Sequence, residues 1–208
     1  FCDEFPDVII VGIGYPVHGS LADIYAEVMH LRMRDFLPMR DEGAEAFIQD
    51  VFPVQNRTES GGAHKFMQFL QHELVPWINA NYRVDPTDST LMGFSWGGEF
   101  ALTVLFHQSR LFRRYVVVSP DLPHGNGAVL DYEQAYAQHH TDLPVRLYLA
   151  YGEPEVNDYE RPFLERFLTA LRSRSYAGFT LTHQLIPNCT HCAVVAPGFQ
   201  AGLVAVFS

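Results

Sequence analysis

Hydrophobic positions along the chain fall into two alternating kinds of stretch. Short strands are predicted at Val8–Tyr15, Ser89–Met92, Arg114–Ser119, Pro144–Gly152 and Phe179–Ile186, and of these Arg114–Ser119 and Pro144–Gly152 are continuous apolar runs. Continuous runs predict strands covered on both faces, because a half-exposed strand would alternate with polar residues. Between them the spacing changes. From Gly62 to Asn81 the apolar residues Phe66, Phe69, Leu70, Leu74, Trp77 and Ile78 recur every three or four positions. This predicts an amphipathic helix, kinked near Pro76 because proline lacks the N–H and crowds the preceding turn. Similar spacing predicts helices over Glu99–Phe106, Tyr159–Arg174 and Pro197–Phe207. Residues 16–60 carry no strong period and read as a long irregular segment of the kind that holds functional loops. Strands alternating with helices predict an α/β fold, a mostly parallel sheet with helices on both faces. No internal repeat or linker composition interrupts the pattern, so a single domain over 1–208 is expected.

Composition narrows the partners. The 208 residues are 48% hydrophobic and 18% charged, enough for one sizeable core. No apolar run reaches the roughly 18 residues of a membrane span. A formal net charge of −10 argues against a nucleic-acid backbone as partner. The three cysteines, Cys2, Cys189 and Cys192, are too few for a disulfide framework. Cys189-Thr190-His191-Cys192 resembles half of a metal site, but no second pair matches it. Buried apolar roles are expected for these thiols, and neither metal nor cofactor is implied. Most of the ten histidines are expected at the surface. Phe1 stands almost directly before the first predicted strand. The expectation is therefore that further chain precedes it, which leaves the compartment, cytoplasm or periplasm, undetermined. The oligomeric state is not written in the sequence either.

Gly93-Phe94-Ser95-Trp96-Gly97 has the G-x-S-x-G form of a nucleophile elbow, between a predicted strand and a predicted helix. Glycines let the backbone turn sharply there, and the helix N-terminus offers free N–H groups to an oxyanion. In an open parallel sheet the functional groups gather beyond the carboxyl ends of the strands. The chain supplies them in the order serine, acid, histidine. Glu153, Glu155 and Asp158 follow the strand closing at Gly152, and His191 precedes the last helix. Imidazole titrates near neutrality and suits the general base that a serine hydroxyl needs. Glu155 is the first choice for the acid that fixes the imidazole tautomer, with Asp158 second and Glu153 third. For the oxyanion, Trp96 N–H supplies one donor. Gly14 or Tyr15, after the first predicted strand, supplies the other.

Together these residues resemble a known group of serine hydrolases. The matching segments are Val11–Pro16, Arg32–Pro38, Gly61–Leu70, Glu73–Ile78, Tyr82–Asp85, Gly93–Gly98, Ser119-Pro120, Tyr151–Glu155 and Thr190-His191. The chain resembles the putative-esterase family of α/β-hydrolases, and within it the branch of siderophore (enterobactin-type) trilactone esterases. That resemblance implies an α/β-hydrolase fold whose first strands lie ahead of Phe1. It implies hydrolysis of small-molecule carboxylic esters through an acyl-serine, with Ser95 as nucleophile and His191 as base, and siderophore trilactones among the substrates. Some members of the branch work with a Ser-His dyad, so Glu155 carries over less securely. Arg32 matches the family's R-x-R-D segment as a substrate contact, whereas Arg34 and Asp35 are expected to brace their loop. Phe94 stands where the family often has histidine, a change not expected to touch the chemistry. Two other readings share the motifs: an acyltransferase or thioesterase using the same site, and a ligand-binding homologue without turnover.

Overall fold

The computed structural model describes residues 6–108 and 110–208. Cys2 lies outside them. The chain divides into two compact units, Asp85–Ser208 and Asp7–Val84.

The larger unit is built on a four-stranded parallel sheet in the order β1-β2-β3-β4, with β1 Thr90–Phe94, β2 Arg114–Val118, β3 Arg146–Gly152 and β4 Thr180–Ile186. Each strand returns to its neighbour through a helix: α5 Trp96–His107, α6 His124–Ala137 and α7 Arg161–Arg174. Right-handed crossovers that step in one direction put these three helices on the same face. The final helix, α8 Val195–Phe207, covers the other face. There Val206 packs in one cluster with Val116, Val118, Tyr148, Ala150 and Ile186. The intervening residues Tyr115, Val117, Leu147 and Leu149 are equally buried beneath the first helix layer. Two covered faces explain why β2 and β3 read as unbroken apolar runs rather than alternating ones.

Register is what positions the site. Phe94 pairs with Val118, Val118 with Ala150, and Gly152 with Ile186. The four strands therefore finish along one edge, and the segments after them share the same rim.

The smaller unit is helical, and here the sequence reading is corrected. Residues 21–36 form α1 and residues 42–51 form α2, where an irregular segment was expected. Helix α1 opens on a capping box. The Ser20 hydroxyl accepts from the Asp23 N–H, and the Asp23 carboxylate accepts from the Ser20 N–H. Its buried stripe is Ala26, His30 and Met33, so a histidine occupies a core position and dilutes the apolar period. The expected helix over 62–81 is present as α3 Ala63–Phe69 and α4 Val75–Asn81, joined by a π-helical stretch over Leu70–Leu74. The irregularity thus falls one turn before Pro76, where a widened turn makes room for the proline ring and its missing donor. Residues 8–15 form no strand. Val8, Ile9, Ile10, Val11 and Ile13 are exposed, and among the described residues no segment pairs with them. Apolar β-branched composition favours a strand, but a strand exists only through a neighbour's backbone groups.

Helix α6 was not anticipated. Its first turn carries Gly125, Asn126 and Gly127 at positive φ, which hides it from a period count. It begins at His124, buried with its Nδ1 2.6 Å from the Glu99 carboxylate of α5. Buried His30 and His124 correct the expectation of a mainly superficial histidine set for those two residues. Cys189 is partly buried against the α8 cluster, whereas Cys192, expected to be buried, is exposed in the largely exposed loop between β4 and α8.

Candidate active site

Ser95 sits immediately after β1, at φ 58° and ψ −128°. A side chain in that backbone region costs about 1–3 kcal/mol, and it persists only where surrounding bonds impose it. Three bonds do so. The Ser95 N–H donates to the Val118 carbonyl at 3.0 Å, and the Ser95 carbonyl accepts from the N–H groups of Gly98 (2.8 Å) and Glu99 (3.0 Å). Gly93 is required by the same turn, since a Cβ there would collide with the Gly97 carbonyl. The N–H groups of Trp96 and Gly97 open α5 and have no intrahelical acceptor, so they remain available to an oxyanion.

His191 lies in the loop between β4 and α8, its ring tilted against Phe94 at 4.6 Å between centroids. Its Nε2 is 3.1 Å from the Ser95 hydroxyl and its Nδ1 is 2.6 Å from the Glu155 carboxylate. With the Nδ1 proton donated to the carboxylate, the Nε2 lone pair faces the serine O–H. Of the three acidic candidates after β3, the structure brings Glu155 to the imidazole; Glu153 and Asp158 are exposed. The His191 side chain is 49% exposed and that of Glu155 12%, so the imidazole is open to solvent while the carboxylate lies beneath it.

Glu155 is held from several directions. Its Oε1 accepts from the Ser119 hydroxyl and from the Gly152 N–H, each at 2.8 Å, leaving Oε2 for His191. Burial by itself pushes the carboxyl up. The hydrogen bonds from His191, Ser119 and Gly152, with the imidazole charge, outweigh it and hold Glu155 below its ordinary value. The group therefore stays ionised at neutral pH. Gly152 must be glycine: a Cβ would strike the Cys189 carbonyl and crowd Glu155 Oε1 at 2.7 Å.

A second carboxyl lies nearby in a different state. The Tyr151 hydroxyl is 2.8 Å from the Pro120 carbonyl and 2.9 Å from Glu160 Oε1. The Tyr151 hydroxyl thus has two acceptors for its one proton, the Pro120 carbonyl and the Glu160 carboxyl. Burial first, then the neighbouring Asp121 and Glu155 charges, push the Glu160 carboxyl up to about 7. A carboxyl raised above its unfolded value stabilises the fold fully below that value, and the contribution is lost as pH rises to about 7. Glu160→Gln keeps a donor without the charge. It is expected to raise Tm by about 2–4 °C at pH 8 and to leave it nearly unchanged at pH 5, read by thermal unfolding at both pH values.

Sequence reasoning did not find the contacts of Ser119, Phe94 or the Tyr151–Glu160 pair. Ser119-Pro120 was visible as a strand end, but no local signal shows that its hydroxyl meets a residue 36 positions later. Phe94, expected to be neutral to the chemistry, lies against the imidazole. Gly14, Tyr15 and Arg32 belong to the Asp7–Val84 unit. Within it the Tyr15 hydroxyl donates to the Leu31 carbonyl at 3.3 Å, and the Arg32 guanidinium lies 5.7 Å from the centre of the Phe36 ring. Arg34 forms a two-pronged pair with Asp35 at 2.7 and 2.8 Å. Among the described residues no helix is long and apolar enough to cross a membrane.

Comparison with known proteins extends the same picture along the chain. BesA, a ferri-bacillibactin esterase of Bacillus subtilis, is 30% identical over 174 residues, covering 76% of this chain and 54% of that protein. An apo-salmochelin esterase of Escherichia coli is 29% identical over 122 residues, covering 59% and 35%. This chain thus spans about half the length, or less, of these curated relatives. Among solved structures, the BES protein of Bacillus cereus superposes with a TM-score of 0.74 at 25% identity, covering 98% of this chain and 71% of that one. The family model described as "Putative esterase" matches residues 19–162, which include the elbow, the acid loop and most of the helical unit. A match over more than half of the chain means that this protein belongs to the putative-esterase family.

Proposed function

We propose that the protein is a serine esterase that hydrolyses carboxylic esters through an acyl-serine intermediate. The observation that carries this reading is the hydrogen-bonded line from Ser95 Oγ through His191 to Glu155 at the turn before α5. His191 Nε2 takes the hydroxyl proton as Ser95 Oγ attacks the ester carbonyl. The resulting imidazolium is stabilised by the ionised Glu155 carboxylate. The carbonyl oxygen becomes an oxyanion facing the Trp96 N–H, and such a donor contributes about 3–4 kcal/mol to the transition state. His191 then returns the proton to the departing alcohol. A water deprotonated by the same nitrogen releases the acid and restores Ser95. The second oxyanion donor, Gly14 or Tyr15, and Arg32 as a substrate contact are assigned from the sequence and its resemblance alone.

The substrates we propose are siderophore trilactones. Relatives named for the hydrolysis of ferri-bacillibactin and apo-salmochelin support this choice. The family match, residues 19–162, includes parts of both compact units. The test is a panel of p-nitrophenyl esters and a catecholate trilactone, with products identified by mass spectrometry. Free acid and linearised trilactone are expected. Transfer to an added alcohol in place of hydrolysis would instead make it an acyltransferase, and binding without turnover would make it a ligand carrier.

The acid has its own test. Glu155→Gln removes the charge that favours the imidazolium, and is expected to lower kcat by about 10³–10⁴-fold with little change in KM. Rates close to wild type would reduce the site to a dyad.

A further inference from the structure

The end of β2 holds both outer members of the site through two consecutive residues. The Val118 carbonyl accepts the Ser95 N–H at 3.0 Å, and the next hydroxyl, Ser119 Oγ, donates to Glu155 Oε1 at 2.8 Å. The spacing between nucleophile and acid is therefore referred to one rigid point, since Ser119 N–H itself bonds to the Ala150 carbonyl of β3 at 2.7 Å. Ser119 is 2% exposed and sits at φ 44°, in the left-handed region that few non-glycine residues occupy. Glycine would adopt that backbone without strain, yet only a side chain with a donor can reach the carboxylate. Both neutral donors to Glu155, Ser119 Oγ and Gly152 N–H, meet the same oxygen. They stop the carboxylate from pivoting and leave the other oxygen directed at His191 Nδ1. Being uncharged, they help keep the carboxylate ionised without cancelling the formal charge that faces the imidazole.

We propose that Ser119 is a positioning residue for the reaction: its hydroxyl orients Glu155 so that the carboxylate holds His191 in line with Ser95. The proposal rests on the esterase reading above. The remainder of the segment after β2 is fastened to the same site. The Pro120 carbonyl accepts from Tyr151, the Asp121 carboxylate accepts from the Trp96 indole at 3.3 Å, and His124 meets Glu99. A shift of Ser119 is thus resisted on both sides, as a positioning element requires.

Two variants separate the hydroxyl from the backbone. Ser119→Ala removes the donor and keeps the strained φ; Ser119→Gly removes the donor and relieves the strain. Steady-state kinetics on a p-nitrophenyl ester, with thermal unfolding alongside, are expected to show kcat about tenfold lower in both. KM should stay within about twofold, although Ser119→Gly should melt at the higher temperature. In a Glu155→Ala background, where no carboxylate remains to orient, the same substitutions should cost nothing further, a non-additivity that a general structural role would not produce. Wild-type kcat in Ser119→Gly overturns the proposal, and so does an equal additional loss in the Glu155→Ala background. Ser95→Ala is run in the same assay. If it retains turnover, the esterase reading fails and takes this proposal with it; if it is inactive while Ser119→Gly is unimpaired, only the role of Ser119 fails.

Discussion

Ser95→Ala is expected to lower kcat on p-nitrophenyl esters by about 10⁵–10⁶-fold while leaving Tm unchanged or slightly higher. The size follows from the chemistry. Without Oγ no acyl-enzyme forms, and what remains is binding together with the N–H donors at the start of α5, worth about 10³–10⁴-fold over water. Stability should not fall, because the bonds that impose the turn are made by the backbone N–H and carbonyl of Ser95. Its hydroxyl is used toward His191. Relief from φ 58° would need glycine rather than alanine, so any gain in Tm from the alanine variant stays small. Steady-state rates and differential scanning calorimetry on the same preparation check both halves of the expectation.

His191→Ala is expected to lose nearly as much, about 10⁵-fold or more, because base and nucleophile act as a unit. The double variant Ser95→Ala/His191→Ala should then be no slower than either single one. Multiplying losses would mean that the two side chains contribute separately and that the 3.1 Å contact between them is not the route of the proton. Phe94 gives a further reason to expect a clean result. Its ring packs on the imidazole from β1, and removing the imidazole leaves a gap at an exposed rim rather than in the core.

The elements built from strong local signals could be read from the sequence. The buried strands β2 and β3 announced themselves as unbroken apolar runs, and the elbow by its glycines between a strand and a helix. The order serine, acid, histidine was equally plain, because all three follow parallel strands that end on one edge. Elements whose signal is diluted were harder to read. Helix α1 carries His30 in its buried stripe, so hydrophobicity alone misses it, although Ser20 and Asp23 spell its start. Helix α6 begins with three left-handed residues that look like a loop. The run at 8–15 has strand composition but no partner among the described residues.

Within the site, choosing Glu155 over Glu153 and Asp158 was beyond certain reading from local sequence. The three acids share one short loop and one chemistry. What distinguishes Glu155 is that the register of β2 with β3 brings Ser119 to it, while β4 delivers His191 from the other side. Those are contacts between residues 36 positions apart in each case, set by the sheet and not by neighbours in the chain. The raised Glu160 carboxyl was hidden for the same reason, since it depends on burial and on the Asp121 and Glu155 charges that the fold brings near it.

The most direct test of the account is to treat the protein with diisopropyl fluorophosphate, which phosphorylates activated serine hydroxyls with loss of fluoride, and to locate the adduct by peptide mass spectrometry. One phosphoryl group on Ser95 is expected, with labelling slowed by orders of magnitude in His191→Ala. A wild-type protein that stays unlabelled, or that carries the group on another residue, would contradict the claim that Ser95 is activated by the imidazole 96 positions further along the chain.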